Sequence, residues 1–152
     1  MEIINYQYQI LRYQHDVATG EFVNVGLVYF DAQTHFLRVR MTKNVSRIAH
    51  FFGEIEGEHL LRTFKGLENA FNRLENVRFF SSVKEVTSSI LPPNDSALIF
   101  SSTFKGADVT SHNAAFDDLY YTIIGKYNGE QAEENASLSV SKHQEELLLA
   151  AV

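Results

Sequence analysis

Apolar and polar residues alternate at the start of the chain, and their spacing predicts strands. Every second residue from Ile4 to Ile10 is apolar or aromatic, which predicts a strand over residues 4–14. A turn containing Gly20 follows, and residues 21–31 then hold an apolar run from Phe22 to Phe30 that only Asn24 interrupts with a polar side chain. The two segments predict a β-hairpin whose second strand is covered on both faces of the sheet.

A third strand is predicted over residues 36–42, with Arg38 and Arg40 on the face opposite its apolar side chains. Beyond Asn44 the apolar spacing changes to three and four, which predicts helices. A short helix is expected around residues 48–55. A longer one is expected over residues 58–75, where one stripe holds Leu60, Phe64, Leu67, Phe71 and Leu74.

The second half of the chain repeats both patterns. A short strand is predicted at residues 77–80, and Ser82 with Glu85 forms a capping box that begins a helix ending at Pro92. A strand over residues 97–103 and a helix over residues 113–127 complete the expected elements. The sequence therefore predicts an α+β fold: an antiparallel sheet that opens with a β-hairpin, with helices packed on at least one face.

The charges divide the chain into two parts. The net charge is −6, yet residues 1–128 hold 12 Lys and Arg against 14 Asp and Glu, and residues 129–152 hold one Lys against five Glu. We expect a single domain over residues 1–128, followed by an acidic linker and a short, marginally stable C-terminal helix capped by Ser141 and Gln144. A nearly neutral domain does not favour general binding of nucleic acid.

Composition excludes several classes of function. The chain has no cysteine, so disulfides, thiolate metal sites and cysteine nucleophiles are excluded. It contains no His-Glu-x-x-His spacing, phosphate loop or dinucleotide fingerprint, and we predict neither a metal nor a cofactor. Its first residues do not resemble a secretory signal, and its longest apolar run, Leu147 to Val152, is too short to cross a membrane. We expect a cytoplasmic protein.

A polar cluster beside the hairpin is the first candidate site. Asn24 lies in the apolar second strand, where a buried amide must be hydrogen-bonded. It either ties this strand to a neighbouring loop or joins Arg12 and Glu21 in a binding or catalytic cluster. Glu21 and Asn24 face opposite sides of a regular strand, so the second interpretation requires a bulge at Gly20 or Gly26.

A basic stretch is the second candidate site. Arg38, Arg40, Lys43 and Arg47 place four positive charges in ten residues with no acidic residue between them. Such a stretch can bind an anion or steer an acidic surface of a partner, and it can equally be a solvated face.

Two segments of the opening hairpin carry a resemblance to a known family. They are Leu11-Arg12-Tyr13 and the segment Gly20-Glu21-Phe22-Val23-Asn24-Val25-Gly26 that continues to Phe30. They resemble the opening of a bacterial family known as domain of unknown function 3037, and the similarity extends over residues 6 to about 127. The resemblance implies no reaction. It implies a protein partner similar to the HipA-type kinases.

Two functions of different classes stay open. The first is a non-catalytic protein-binding or accessory domain, which contacts a kinase-like or other protein through the basic stretch or through Ser141 to Val152. The alternative is an enzyme or nucleic-acid-processing factor that uses Arg12, Glu21, Asn24 and the basic stretch 38–47. A homodimer is a further arrangement that the sequence allows.

Overall fold

Five antiparallel strands form the sheet of this protein in a computed structural model, which describes residues 3–15, 18–52, 57–91 and 97–131. The spatial order is β3-β2-β1-β4, and β5 also pairs with β1. The strands are β1 (Ile4–Tyr13), β2 (Val23–Asp31), β3 (Phe36–Met41), β4 (Leu98–Phe100) and β5 (Phe104–Asp108). The predicted α+β fold with an antiparallel sheet that opens with a hairpin is confirmed, and β1 and β2 are its inner strands.

The strand predicted over residues 97–103 is shorter than expected, and a further strand follows it. Leu11 pairs with Phe100 whereas Tyr8 pairs with Phe104, so the segment between β4 and β5 contains one more residue than the part of β1 that it faces. The extra residue is a bulge around Ser101. Its hydroxyl accepts a hydrogen bond from the Ile10 amide at 2.9 Å, which replaces the ladder bond that the bulge interrupts.

The helices are α1 (Ser46–Phe52), α2 (Gly57–Asn72), α3 (Val83–Ile90) and α4 (His112–Ile123). The predicted short strand at residues 77–80 is wrong, because Val77–Phe79 forms a 3₁₀ turn. The predicted helix over 113–127 ends at Ile123, and Gly125–Asn128 continues as a second 3₁₀ turn. Among the described residues, no helix combines the length and the apolar character needed to span a membrane.

Helices cover both faces of the sheet. On one face, called here the α2 face, α1, α2 and α3 pack on residues that include Val25, Val28 and Phe30. On the opposite face, the α4 face, Leu27 and Tyr29 pack against α4. The expectation that β2 is covered on both sides is confirmed, since residues 25–31 are all buried.

A bulge in β2 sets which side chains reach each face. Leu11 pairs with Gly26 and Arg12 pairs with Asn24, so Val25 is the extra residue. Gly26 suits this position because a Cβ there would lie 2.4 Å from the sulfur of the buried Met41. The bulge places Asn24 and its neighbour Arg12 on the α4 face.

Glu130 packs against the domain beyond the predicted boundary. Its carboxylate accepts hydrogen bonds from the Tyr120 hydroxyl at 2.9 Å and from the Thr42 hydroxyl at 2.5 Å. Burial, followed by the charge of Glu130, raises the pKa of Tyr120. The boundary at residue 128 stays a prediction. The terminal helix predicted at Ser141 lies outside the described residues.

Candidate functional site

Arg38 and Arg40 of the basic stretch share one buried carboxylate. Their guanidinium groups lie 3.3 and 3.0 Å from Asp117 on α4, whose side chain is 1% exposed. Both guanidiniums also stack on the ring of Phe116, at 4.5 and 5.0 Å from its centroid. The acid that the local sequence lacks is therefore supplied by a distant helix, and the two arginines hold β3 against α4.

The other two basic residues have different surroundings. Lys43 is exposed, whereas Arg47 donates a hydrogen bond to the side-chain oxygen of Asn128 at 3.2 Å. The Arg47 guanidinium also lies 5.8 Å from the ring of Tyr127, which is 56% exposed. Because the one negative charge of Asp117 offsets only half of the positive charge of Arg38 and Arg40, these three side chains keep a net charge of +1. Lys43 and Arg47 add their own positive charges at the surface.

The structure brings Arg12 and Asn24 together and leaves Glu21 at the surface. Arg12 and Asn24 are paired across β1 and β2, and the Arg12 guanidinium stacks 4.4 Å from the Phe22 ring. In the described part of the chain, the buried Nε of Arg12 and the buried Oδ1 of Asn24 have no hydrogen-bond partner. The backbone amide of the exposed Glu21 donates to Thr19.

Exposed apolar side chains surround Arg12 and Asn24. Phe22 is 45% exposed and Ile99, the neighbour of Arg12 on β4, is 39% exposed. Phe22 separates two shallow depressions, one beside Arg12 and Ile99 and the other beside Asn24 and Arg47. We call this surface the Phe22 patch, which consists of Arg12, Phe22, Asn24, Arg47, Ile99 and Tyr127.

A larger cavity of about 390 Å³ lies between α3 and β4. One wall is the continuous segment Leu98 to Thr103. The other wall is one face of α3, formed at helical spacing by Lys84, Thr87, Ser88 and Leu91. We call this cavity the α3–β4 groove. Sequence reasoning missed it, because its two walls come together only when the sheet forms.

Buried polar side chains form the floor of the groove. Gln9 is 4% exposed, and its side-chain nitrogen donates to the Ser101 carbonyl at 2.7 Å. Its side-chain oxygen accepts a hydrogen bond from the buried hydroxyl of Thr87. This network joins β1, the bulge and α3, so the two walls are held at a fixed separation.

The N-terminus of α3 is fixed by capping. The Ser82 hydroxyl accepts from the Glu85 amide at 3.2 Å, which confirms the capping box. Glu85 accepts in return from the amide and hydroxyl of Ser81, at 2.7 and 3.1 Å, and these bonds lower the pKa of Glu85. The Val83 amide donates to the side chain of Gln7 at 2.8 Å, which attaches the helix to β1.

Two backbone hydrogen bonds determine the direction of the peptide groups in β4. The Ser101 amide donates to the carbonyl of Ile10 at 2.8 Å, and the Gln14 amide donates to the carbonyl of Ala97 at 2.7 Å. The peptide groups of successive residues point to alternate sides of an antiparallel strand. The N–H and C=O of Ile99 therefore also point towards β1, and those of Phe100 point away from it. No other strand of the described residues pairs with this side of β4. The N–H and C=O of Phe100 therefore lie at an open sheet edge beside the groove.

A tyrosine, a histidine and an aspartate form a second buried network, which sequence reasoning missed. The Tyr29 hydroxyl lies 2.6 Å from Nδ1 of His112, and Nε2 of His112 lies 3.0 Å from Asp31. Tyr29 is fully buried, and burial raises the pKa of its hydroxyl. A substrate cannot reach that hydroxyl in this arrangement. We therefore interpret the network as structural, since it attaches α4 to the β2–β3 hairpin.

Metal chemistry finds no geometric support in the described ranges, where no three His, Asp or Glu side chains converge as ligands. Within the described ranges, the fold is thus an α+β domain in which the outward peptide groups of Phe100 pair with no strand and lie beside the α3–β4 groove. A family model described as protein of unknown function (DUF3037) matches residues 8–124, and the chain belongs to this family. Searches of curated proteins and of solved structures gave no match.

Proposed function

We propose that this protein is a non-catalytic binding domain that takes an extended segment of a partner protein along β4. The observation that carries the proposal is the α3–β4 groove. It is a cavity of about 390 Å³ that lies between the open edge at Phe100 and the helix wall. Extended peptides are commonly bound by adding a strand to such an edge, with main-chain hydrogen bonds giving affinity and alternate side chains giving specificity.

The two faces of an added strand would meet different surroundings. Side chains on one face would enter the groove against Ser88 and Leu91 of α3. Side chains on the other face would lie beside Ile99 and the Phe22 patch, where aromatic rings stack with arginine. Tyrosine and arginine are enriched where protein partners bind most strongly. Arg12, Asn24 and Arg47 thus remain binding residues in this proposal.

The other candidate roles have weaker support. Arg38 and Arg40 are paired with Asp117, which leaves few phosphate contacts for a nucleic acid. An enzyme built on Arg12, Glu21 and Asn24 would need Glu21 to join the other two residues. A HipA-like kinase is one source of the partner segment, and its surface segments belong among the peptides to be tested.

The test is a selection of peptides from a random library on the immobilised domain, followed by affinity measurements. Ser88→Trp fills the groove and should weaken binding of the selected peptides at least tenfold. Ser89→Trp places the same side chain one residue further along α3, at an exposed position outside the groove, and should leave affinity unchanged.

Methylation of peptide nitrogens separates strand addition from other modes. N-methylation should weaken binding only at alternate positions of the peptide, because only alternate amides face β4. The proposal is contradicted if no peptide is selected, if Ser88→Trp and Ser89→Trp bind equally well, or if sensitivity to methylation does not alternate.

A further inference from the structure

The direction of α3 relative to β4 gives the α3–β4 groove two chemically different ends. The Val83 amide bonds Gln7, and the Thr87 hydroxyl bonds Gln9 two residues further along β1. The helix therefore runs in the direction of β1 and opposite to β4, which is antiparallel to β1.

One end of the groove is apolar. Leu91 at the end of α3 packs in the same hydrophobic cluster as Leu98 and Phe100 of β4. The other end combines the exposed ammonium of Lys84 with the hydroxyls of Ser102 and Thr103. Among the described residues that line the groove, Lys84 is the only charged one. An ammonium with neighbouring hydroxyls suits a carboxylate.

We propose that the bound segment carries an apolar residue for the Leu91 end and an acidic residue for the Lys84 end, an inference that rests on the proposed function. Lys84 and Leu91 are about 10 Å apart along the helix axis, at 1.5 Å per residue. Side chains on one face of a strand repeat every ~7 Å. The acidic and apolar residues are therefore two or four positions apart in the segment.

Charge exchange tests this specificity. Peptides selected on the unaltered domain should share the acidic residue, and its replacement by glutamine should weaken binding about tenfold, a loss of ~1.4 kcal/mol. Lys84→Glu should cause at least the same loss. Peptides with lysine in place of the acidic residue should recover affinity for Lys84→Glu and for no other variant.

Lys105→Glu is the matched control, since Lys105 is an exposed lysine of β5 that does not line the groove. It should change affinity for acidic and lysine-bearing peptides less than twofold. If peptides show the alternating sensitivity to methylation but ignore both charge exchanges, the acidic specificity is wrong and strand addition stands. If the alternating sensitivity is absent, strand addition itself fails, whatever the peptide charge.

Discussion

The hydroxyl of Thr87 on α3 donates a hydrogen bond to the side-chain oxygen of Gln9 on β1, and both side chains are buried. This contact joins the helix wall of the groove to the sheet. Gln9 also bonds the Ser101 carbonyl on the strand wall, so a single side chain connects both walls. A groove held in this way needs little reorganisation when a partner binds, which favours affinity.

Replacing Thr87 by valine tests the importance of this connection. Thr87→Val preserves the shape of the side chain but leaves the Gln9 oxygen without its donor, and it should lower the free energy of unfolding by about 1–3 kcal/mol. Urea unfolding measures the change. Thr63→Val removes a hydroxyl that bonds the His59 carbonyl at the surface of α2, and it should change stability by less than about 0.5 kcal/mol. Equal effects would contradict a stabilising role for the floor.

Asp117 should be necessary for stability, because two partly exposed arginines converge on its buried carboxylate. Asp117→Asn leaves Arg38 and Arg40 without their shared carboxylate, and we expect a loss of about 3 kcal/mol, as for other broken buried pairs. Thermal and denaturant unfolding at neutral pH measure it. A loss below about 1 kcal/mol would mean that the arginines are stabilised mainly by stacking on Phe116.

Asp118, the next residue of α4, is the control for Asp117→Asn, and its substitution should change stability in the opposite direction. Asp118 lies at the surface, where partial desolvation, followed by the charges of Asp108 and Asp117, raises its pKa. A raised folded-state pKa means that the folded protein binds the proton more tightly than the unfolded chain, so ionisation of Asp118 destabilises the fold as pH rises. Asp118→Asn should therefore increase stability at neutral pH, and the gain should vanish once acid protonates Asp118. A decrease at neutral pH would contradict this sign.

Asn24 should contribute little to stability despite its position in the core strand. Its buried side-chain oxygen has no hydrogen-bond partner among the described residues, so Asn24→Leu should change the free energy of unfolding by less than about 1 kcal/mol. Asn128→Leu is the comparison, since Asn128 bonds both Thr42 and Arg47 and should lose about 1–3 kcal/mol. If both variants are equally destabilised in urea, Asn24 supports the scaffold as Asn128 does.

Two truncations locate the end of the folded domain. A chain that ends at Gln131 keeps Glu130 and its bonds to Thr42 and Tyr120, and its melting should match that of the full chain. A chain that ends at Asn128 loses these charge-assisted bonds and should be about 2–3 kcal/mol less stable. If the chain ending at Gln131 is also destabilised, residues 132–152 contribute to the stability of the domain.

The elements that could be predicted are those encoded by neighbouring residues. Alternation over Ile4 to Gln14 and the consecutive apolar residues of β2 specify the hairpin, and Ser82 with Glu85 specifies the start of α3. Such patterns depend on local spacing alone. β5 was missed because Lys105, Gly106 and Asp108 lack a strand pattern. Gly106 is suited to its place, since a Cβ there would lie 2.5 Å from the ring of Tyr6 on β1.

The candidate site depends on residues that are distant in sequence. The basic stretch contains no acid, and its partner Asp117 comes from a helix on another part of the chain. The cluster interpretation required a bulge at Gly20 or Gly26 to unite Glu21 with Asn24. A bulge does lie beside Gly26, but it places Asn24 beside Arg12 and leaves Glu21 at the surface. The α3–β4 groove arises from the direction of α3 and the bulge at Ser101, and neither can be read from the spacing of apolar residues.

Amide hydrogen exchange at Phe100 tests strand addition most directly. The Phe100 amide faces the open edge, whereas the amide of its neighbour Ile99 faces β1 and serves as an internal control. When a selected peptide saturates the domain, the account predicts that Phe100 exchanges at least tenfold more slowly while Ile99 is nearly unchanged. Unchanged exchange at Phe100 in the presence of a saturating peptide would contradict strand addition at β4.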